Sequence, residues 1–322
     1  MAREIRESRY FTNAAGTTGV YTTSNTYEAV GNRDDVSELI TNIAPYDTPL
    51  YSRLARTKAT AVTHEWLEDD LGAAEVNKQP EGYTYSTDNR PARMRLWNCT
   101  QIMHRGIQVT DTQEVVLKYG VRSETAYQMQ KALKELAFDC EKALIEQDVR
   151  FLGTTVNDTR EFGGLPYWVV TNRLDNGGTP RALTFDLVNN ALEQAWNEGG
   201  KPSLLLVSPR NKRIISTFTA GHTKYMDGNK TKKLTQVISV LETDFGTLQC
   251  LTDRFMPNDI VYGLSPEYMK KAFLRPFKTH DIPKINDMQR QIVNGEWTLE
   301  MRAEKAHFAI ADLDGIVPTT GV

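Results

Sequence analysis

The sequence predicts an α+β chain in which one long helix is flanked by long strands and a compact lobe is inserted between them. Three stretches carry that prediction. Residues 123–153 repeat small or apolar side chains at spacings of three and four. Residues 96–110 and 297–303 alternate in twos, the period of a strand. Residues 183–264 hold helical patterns around a continuous apolar run, Ser203–Val207 (SLLLV), which reads as a buried central strand.

In Ser123–Gly153 the stripe is Ala126, Met129, Leu133, Leu136, Cys140, Ala143 and Leu144. Ser123 is a good N-cap, Glu124 suits the first turn, and Gly153 is a natural terminator. The helix is expected to be roughly 43 Å long. Its opposite face carries Lys131, Lys134, Glu135, Asp139, Glu141, Lys142 and Glu146, expected to meet solvent or partners. The stripe stops at a glycine after about three to four heptads, so an amphipathic helix over a core is favoured over a coiled coil.

Before the helix, residues 1–32 are rich in Thr, Ser, Asn and Gly and cannot bury a core alone; they read as an arm that orders against something else. Val36, Leu39, Ile40 and Ile43 sit at helical spacing in residues 32–43, closed off by Pro45 and Pro49. Thr60–Trp66 alternates as a strand with Val62, His64 and Trp66 on one face. From Leu67 to Asn98 no period is visible, far beyond the roughly 4–6 residues of an ordinary connection. Its charge is segregated: residues 65–81 hold six acids against Lys78, and residues 90–105 hold four arginines and no acid. That layout predicts a long hairpin with an acidic outgoing limb and a basic returning limb. The strand Leu96–Thr110, alternating at Met103, Arg105, Ile107 and Val109, leads through residues 111–122 into the helix.

After the helix comes the turn EFGGLPYWV (Glu161–Val169). In the lobe, Thr184 caps a helix with Leu187, Val188, Ala191, Leu192, Ala195 and Trp196 inward, ended by Gly199 and Gly200. Pro209 opens a second helix, the polar loop Thr219–Lys233 follows, and strands at Leu234–Leu241, Thr247–Thr252 and Asp259–Leu264 complete it. Beyond Ser265 the pattern is strand, with Trp297, Leu299, Met301 and Ala303 alternating against Thr298, Glu300 and Arg302. His307–Ile310 continues that strand or folds back.

A chain of 322 residues can bury a large core and hold two domains. A net charge of −3 without long single-sign runs gives nucleic acid no global attraction. Cys99, Cys140 and Cys250 are scattered without CxxC spacing, which fits reduced thiols in an intracellular setting. The N-terminus has no apolar h-region, and no 18 apolar residues run together, so no secretion signal or membrane span is expected.

Catalytic, cofactor and metal motifs are missing. Only five histidines exist, and His64-Glu65 lacks the second histidine of a metalloprotease helix. There is no GxSxG, GxxxxGK[ST] or GxGxxG. Asp69-Asp70 sits in a stretch where nothing desolvates it. Eight Lys or Arg lie between Lys201 and Lys233 against Asp227, without the interleaved aromatics of a nucleic-acid platform. The sequence argues against an enzyme. Instead, an arm, a long charged hairpin and long strands that cannot stabilise themselves in a monomer point to a self-assembling subunit.

Five blocks carry a resemblance: Thr26–Leu54 (TYEAVGNRDDVSELITNIAPYDTPLYSRL), His64–Leu71 (HEWLEDDL), Arg122–Ile145 (RSETAYQMQKALKELAFDCEKALI), the GGL turn, and Glu296–His307 (EWTLEMRAEKAH). In this order they resemble the major capsid proteins of tailed bacteriophages with the HK-97-type fold, over about Thr26 to Leu313. The resemblance implies an N-terminal arm (1–57), an E-loop with flanking strands (58–110, the loop itself Leu67–Asn98), a P-domain with its spine helix (111–170), an A-domain (171–265), and P-domain C-terminal strands (266–322). It implies a subunit of an icosahedral head enclosing double-stranded DNA, built from hexamers and pentamers, located in the virion capsid and in the host cytoplasm during assembly. An encapsulin-type compartment shell is the alternative with the same fold.

In that fold E-loops lie across the adjacent subunit's P-domain and A-domains meet around the axes. Glu65, Glu68, Asp69 and Asp70 on one limb and Arg90, Arg93 and Arg95 on the other are therefore expected inter-subunit contacts that fix the E-loop register. Lys230, Lys232 and Lys233 of the basic loop are expected at the axis-facing tip. Some relatives carry a scaffolding segment before the arm; this chain starts almost at the arm, so scaffolding is expected from a separate protein. A portal and a decoration protein are further expected partners, with packaged DNA held by weak non-specific contact and no membrane. Some relatives cross-link a lysine and an asparagine, but Lys78 reads as a solvated loop lysine and no cross-link is predicted.

Overall fold

The computed structural model describes residues 48–314, apart from 73, 75, 85–91, 156 and 219–239. The expected arm up to residue 47, the helix at 32–43, the basic loop, the start of the expected strand 234–241 and residues beyond 314 lie outside the described residues; the rest of the expected arm, 48–57, forms a short helix and a strand of the first sheet. Two sheets and a ribbon organise the rest. The first sheet has the order β1-β10-β11-β4, formed by Ala55–Lys58, Met269–Ile282, Met288–Met301 and Gln101–Thr110. The second has the order β5-β12-β9-β6-β8-β7, formed by Arg173–Leu174, Phe308–Ile310, Val261–Leu264, Leu204–Val207, Gly246–Thr252 and Val240–Thr243. The ribbon pairs β2 (Thr63–Glu68) with β3 (Met94–Cys99), antiparallel, so the chain leaves and returns as a hairpin.

Six helices accompany these among the described residues: α1 (Pro49–Arg53), α2 (Asp111–Val115), α3 (Glu124–Glu146), α4 (Leu165–Trp168), α5 (Phe185–Asn197) and α6 (Pro209–Thr217). The caps read from the sequence form: Ser123 accepts from Ala126 N–H at 3.2 Å, and Thr184 accepts from Leu187 N–H at 3.2 Å. β6 is buried throughout, between β9 and β8. One core runs from α1 across α3 to β11, with Trp297 and Phe162 fully buried at its centre, and a second lies between α5, α6 and the second sheet.

The spine helix differs from its expectation in three ways. It ends at Glu146, about 34 Å from its start by residue count, because Gly164 of the GGL turn sits on its last carbonyls. Gly164 N–H donates to Gln147 O at 2.9 Å, and a Cβ there would lie 2.7 Å from Leu144 O. The chain then turns away, and Phe151 pairs with Glu161. Second, the buried stripe uses Ala132 and leaves Leu133 44 % exposed. Third, Glu141 is fully buried instead of facing solvent. Its carboxyl oxygens accept from the N–H groups of Leu50 and Tyr51 at 2.8 and 2.6 Å, first-turn donors of α1 that have no partner within that helix.

β11 also departs from simple alternation. Trp297, Leu299 and Met301 are buried on one face, and Thr298 and Glu300 are buried on the other. That second face is covered by the end of β3 and the GGL turn. Asn98 Nδ2 donates to Leu299 O at 2.8 Å and Gly163 O at 3.1 Å, while its Oδ1 accepts from Gly163 N–H at 3.0 Å. Of the two alternatives open for residues 307–310, the chain takes the second: residues 308–310 fold back from β11 and pair with β9 and β5 in the second sheet.

Candidate assembly interface

The ribbon β2–β3 places the segregated charges opposite each other. Arg93 Nε donates to Asp69 Oδ2 at 3.1 Å, and Arg95 Nε donates to Glu65 Oε2 at 2.7 Å. The Arg95 pair is a diagonal one, because Arg95 stands opposite Leu67, two positions along from Glu65. Both pairs are open to water, with Arg93 72 % and Arg95 69 % exposed, so each is worth about 0–1 kcal/mol. They align the hairpin more than they stabilise it. On the other face Trp66 is buried, its ring 5.2 Å from that of Trp168, so the root of the hairpin is fastened to α4.

The root is held by stronger contacts. Ala303 N–H donates to Glu68 Oε1 at 2.7 Å, where Ala303 stands in the left-handed region at φ 48° as the chain leaves β11. His64 Nε2 lies 2.9 Å from Glu300 Oε2, and Arg302 Nε donates to the other Glu300 oxygen at 2.5 Å. Desolvation pushes the Glu300 carboxyl up, but these hydrogen bonds and the Arg302 charge prevail and hold it below its ordinary value. Lys305 lies 3.9 Å from Asp70 and 3.6 Å from Glu198 at the end of α5, bridging hairpin and lobe. Beneath this root, Glu296 accepts from Thr100 Oγ1 and Arg160 at 2.7 Å each and from Arg275 at 3.0 Å.

Beyond the root the hairpin exposes large apolar side chains among the described residues. Leu71 is 97 % and Val76 80 % exposed, and Leu67 and Tyr83 are exposed as well. Elsewhere, a groove of about 540 Å³ runs between β4 and the spine helix, bordered by Arg105, Gln128, Lys131 and Glu135.

Of the contacts expected from the sequence, Glu65, Asp69, Arg93 and Arg95 come together within the hairpin. Glu68 and Asp70 turn toward the chain's own root. Arg90, Lys230, Lys232 and Lys233 lie outside the described residues. The sequence reading passed over Glu300, Ala303 and Lys305. The only signal was their presence in the EWTLEMRAEKAH block, which does not say that they meet residues 235 positions earlier.

The model of the SU10 major capsid protein family matches residues 16–314. The major capsid protein of Escherichia phage Phieco32 is 22 % identical over 331 residues, covering 87 % of this chain and 92 % of that one. Among solved structures, the capsid asymmetric unit of cyanophage A-1(L) superposes with a TM-score of 0.68 at 12 % identity, over 88 % of this chain and 97 % of that one. A holo-encapsulin complex from Synechococcus elongatus also superposes, with a lower TM-score of 0.56 at 11 % identity, over 88 % and 93 % of the two chains. The sheets, spine helix and hairpin are those of the HK-97-type capsid fold, and the encapsulin shares that fold alone. This chain, a structural component of a phage capsid, belongs to the SU10 major capsid protein family.

Proposed function

We propose that copies of this chain form hexamers and pentamers that close into an icosahedral head around double-stranded DNA, each E-loop lying across the P-domain of the adjacent subunit. The exposed apolar residues of a hairpin with a rigid root carry this reading. Leu71 and Val76 cost free energy in water and gain about 25 cal/mol for each Å² covered by a neighbour. The hairpin's charges then fix its register, and weak pairs suffice because a shell repeats each contact many times. The groove between β4 and the spine helix is the receiving surface we favour. In this reading 1–57 is the arm, 171–265 the A-domain, and Lys230, Lys232 and Lys233 face the axis. A scaffolding protein, portal and decoration protein are separate chains, and a net charge of −3 keeps contact with packaged DNA weak. Assembly takes place in the host cytoplasm.

Charge reversal separates hairpin folding from docking. Reversing Arg90, Arg93 and Arg95 together should abolish closed shells. The swapped pair E65R/R95E restores the bond within the hairpin but presents inverted charges to a neighbour, so it should still assemble poorly. Shells of normal yield from the swap would mean these charges serve the hairpin only.

A further inference from the structure

A cleft of about 410 Å³ opens where the hairpin root, α4, the end of α5 and the chain leaving β11 meet. Two kinds of chemistry line it. Met94 and Leu96 of β3, Trp168 of α4, Val170 and Tyr268 form an apolar lining. Trp168 is fixed there: its Nε1–H donates to Gly163 O at 3.1 Å, and its ring lies 5.2 Å from that of Trp66. Val170 is 62 % and Met94 50 % exposed, so the cleft holds apolar surface open to water.

Four carboxylates, Glu68, Asp70, Glu198 and Glu304, line the same cleft against one lysine, Lys305. Glu68 Oε1 accepts from Ala303 N–H at 2.7 Å, and Glu304 Oε1 accepts from Val170 and Thr171 N–H at 2.8 and 2.7 Å. These bonds position the carboxylates without adding a cation. Lys305 stands 3.9 Å from Asp70 and 3.6 Å from Glu198, long pairs open to water that a second cation can join. The carbonyl end of α5 adds negative partial charge, because Glu198, Gly199 and Gly200 at its close line the cleft too. The walls are preformed. A Cβ on Gly200 would lie 2.5 Å from Ala306 Cα, so the end of α5 and residues 304–306 pack backbone to backbone.

We propose that this cleft docks a peptide segment of a separate protein in which a large apolar side chain is flanked by Lys or Arg. The apolar side chain covers Val170 and Met94 beside Trp168, and the flanking cations meet carboxylates that Lys305 alone does not balance. An acidic segment would be repelled by the same carboxylates, and a small inorganic cation would leave the apolar lining in water. The volume falls in the range of about 300–1,000 Å³ typical of ligand sites and fits a few side chains, not a folded domain. The site is distinct from the hairpin tip and from the groove between β4 and the spine helix, so it does not depend on how copies of the chain assemble.

The test titrates the unassembled full chain with two fluorescein-labelled peptides, Lys-Phe-Leu-Lys-Arg and its acidic counterpart Glu-Phe-Leu-Glu-Asp, read by fluorescence anisotropy. The basic peptide should bind saturably with half-saturation below about 1 mM, and the acidic one at least about tenfold more weakly. Raising salt from about 50 to about 300 mM should weaken the basic peptide about three- to tenfold. Its binding should shift the Trp168 indole N–H resonance. V170R puts bulk and a cation into the lining at an exposed position and should cost about tenfold or more. E198K should cost about three- to tenfold, whereas E193K, the same charge change on α5 outside the cleft, should stay within about twofold. Absence of saturable binding by the basic peptide, equal binding of the acidic one, or binding that neither V170R nor E198K weakens would overturn the proposal. If V170R blocks shell formation while the wild type takes up no peptide, the cleft is a contact between copies and the proposal also fails. If V170R does not fold, E198K, E193K and the Trp168 resonance still decide.

Discussion

Replacing Glu68 by Ala should loosen the β2–β3 hairpin without unfolding the subunit. The substitution removes the 2.7 Å hydrogen bond from Ala303 N–H to a carboxylate and leaves a left-handed alanine without its external hold. Hydrogen bonds to charged groups are worth about 1.5–3 kcal/mol net, which corresponds to roughly ten- to hundredfold more frequent local opening. The contrast lies within the same hairpin: Arg93→Ala and Arg95→Ala break exposed pairs worth about 0–1 kcal/mol and should raise opening by at most about fivefold. Amide hydrogen exchange on the unassembled subunit, read at β2, β3 and Ala303, measures both. Equal effects from the three substitutions, or no acceleration in Glu68→Ala, would refute the distinction between a held root and a solvated limb.

Three further outcomes follow from the same structure. Gly164→Ala should cost about 2–4 kcal/mol in urea unfolding, because a Cβ would meet three backbone carbonyls at 2.7–2.9 Å and displace the turn from the helix end; Gly177→Ala, in open space at φ 63°, should cost about 1 kcal/mol. Glu296→Ala leaves Arg160 and Arg275 without their shared partner and should destabilise by about 3–5 kcal/mol in the same assay. Burial lowers the His307 imidazole to about 4, so the fold holds it neutral. Its contribution is present above the ordinary histidine pKa and is lost as pH falls through about 4, a change of about 3 kcal/mol. The difference in stability between wild type and His307→Gln, followed from neutral to acid pH, isolates it.

The elements legible in the sequence were those whose signal is local. Ser123 and Thr184 announce their helices because a cap needs only its own first turn, and SLLLV announces a central strand because both its faces are covered. Charge segregation between residues 65 and 105 correctly implied a hairpin, since opposite charges on two limbs can face each other. What could not be read depends on distant chain. Glu141 looks like a surface residue by periodicity, and it is buried because α1, 90 residues earlier, brings two unpaired donors to it. The helix was expected to continue to Gly153 because nothing local stops it; Gly164 stops it from the outside. Thr298 and Glu300 alternate as an outward face, yet Asn98 and the GGL turn cover them. The contact residues divide the same way. Opposite charges pointed to the hairpin limbs, while the root contacts at Ala303 and Lys305 join positions more than two hundred residues apart.

The most direct test of the assembly account replaces residues 71–91 by a tight turn, keeping β2, β3 and the root contacts, and compares the product with the full chain by negative-stain microscopy, alone and with a scaffolding protein. The full chain should give closed shells, tubes or capsomer rings. The shortened chain should keep the circular dichroism and thermal unfolding of the folded subunit but give no closed shells. Normal shells without the hairpin tip would contradict the claim that it joins neighbours, and a full chain that stays monomeric under every condition would contradict self-assembly itself.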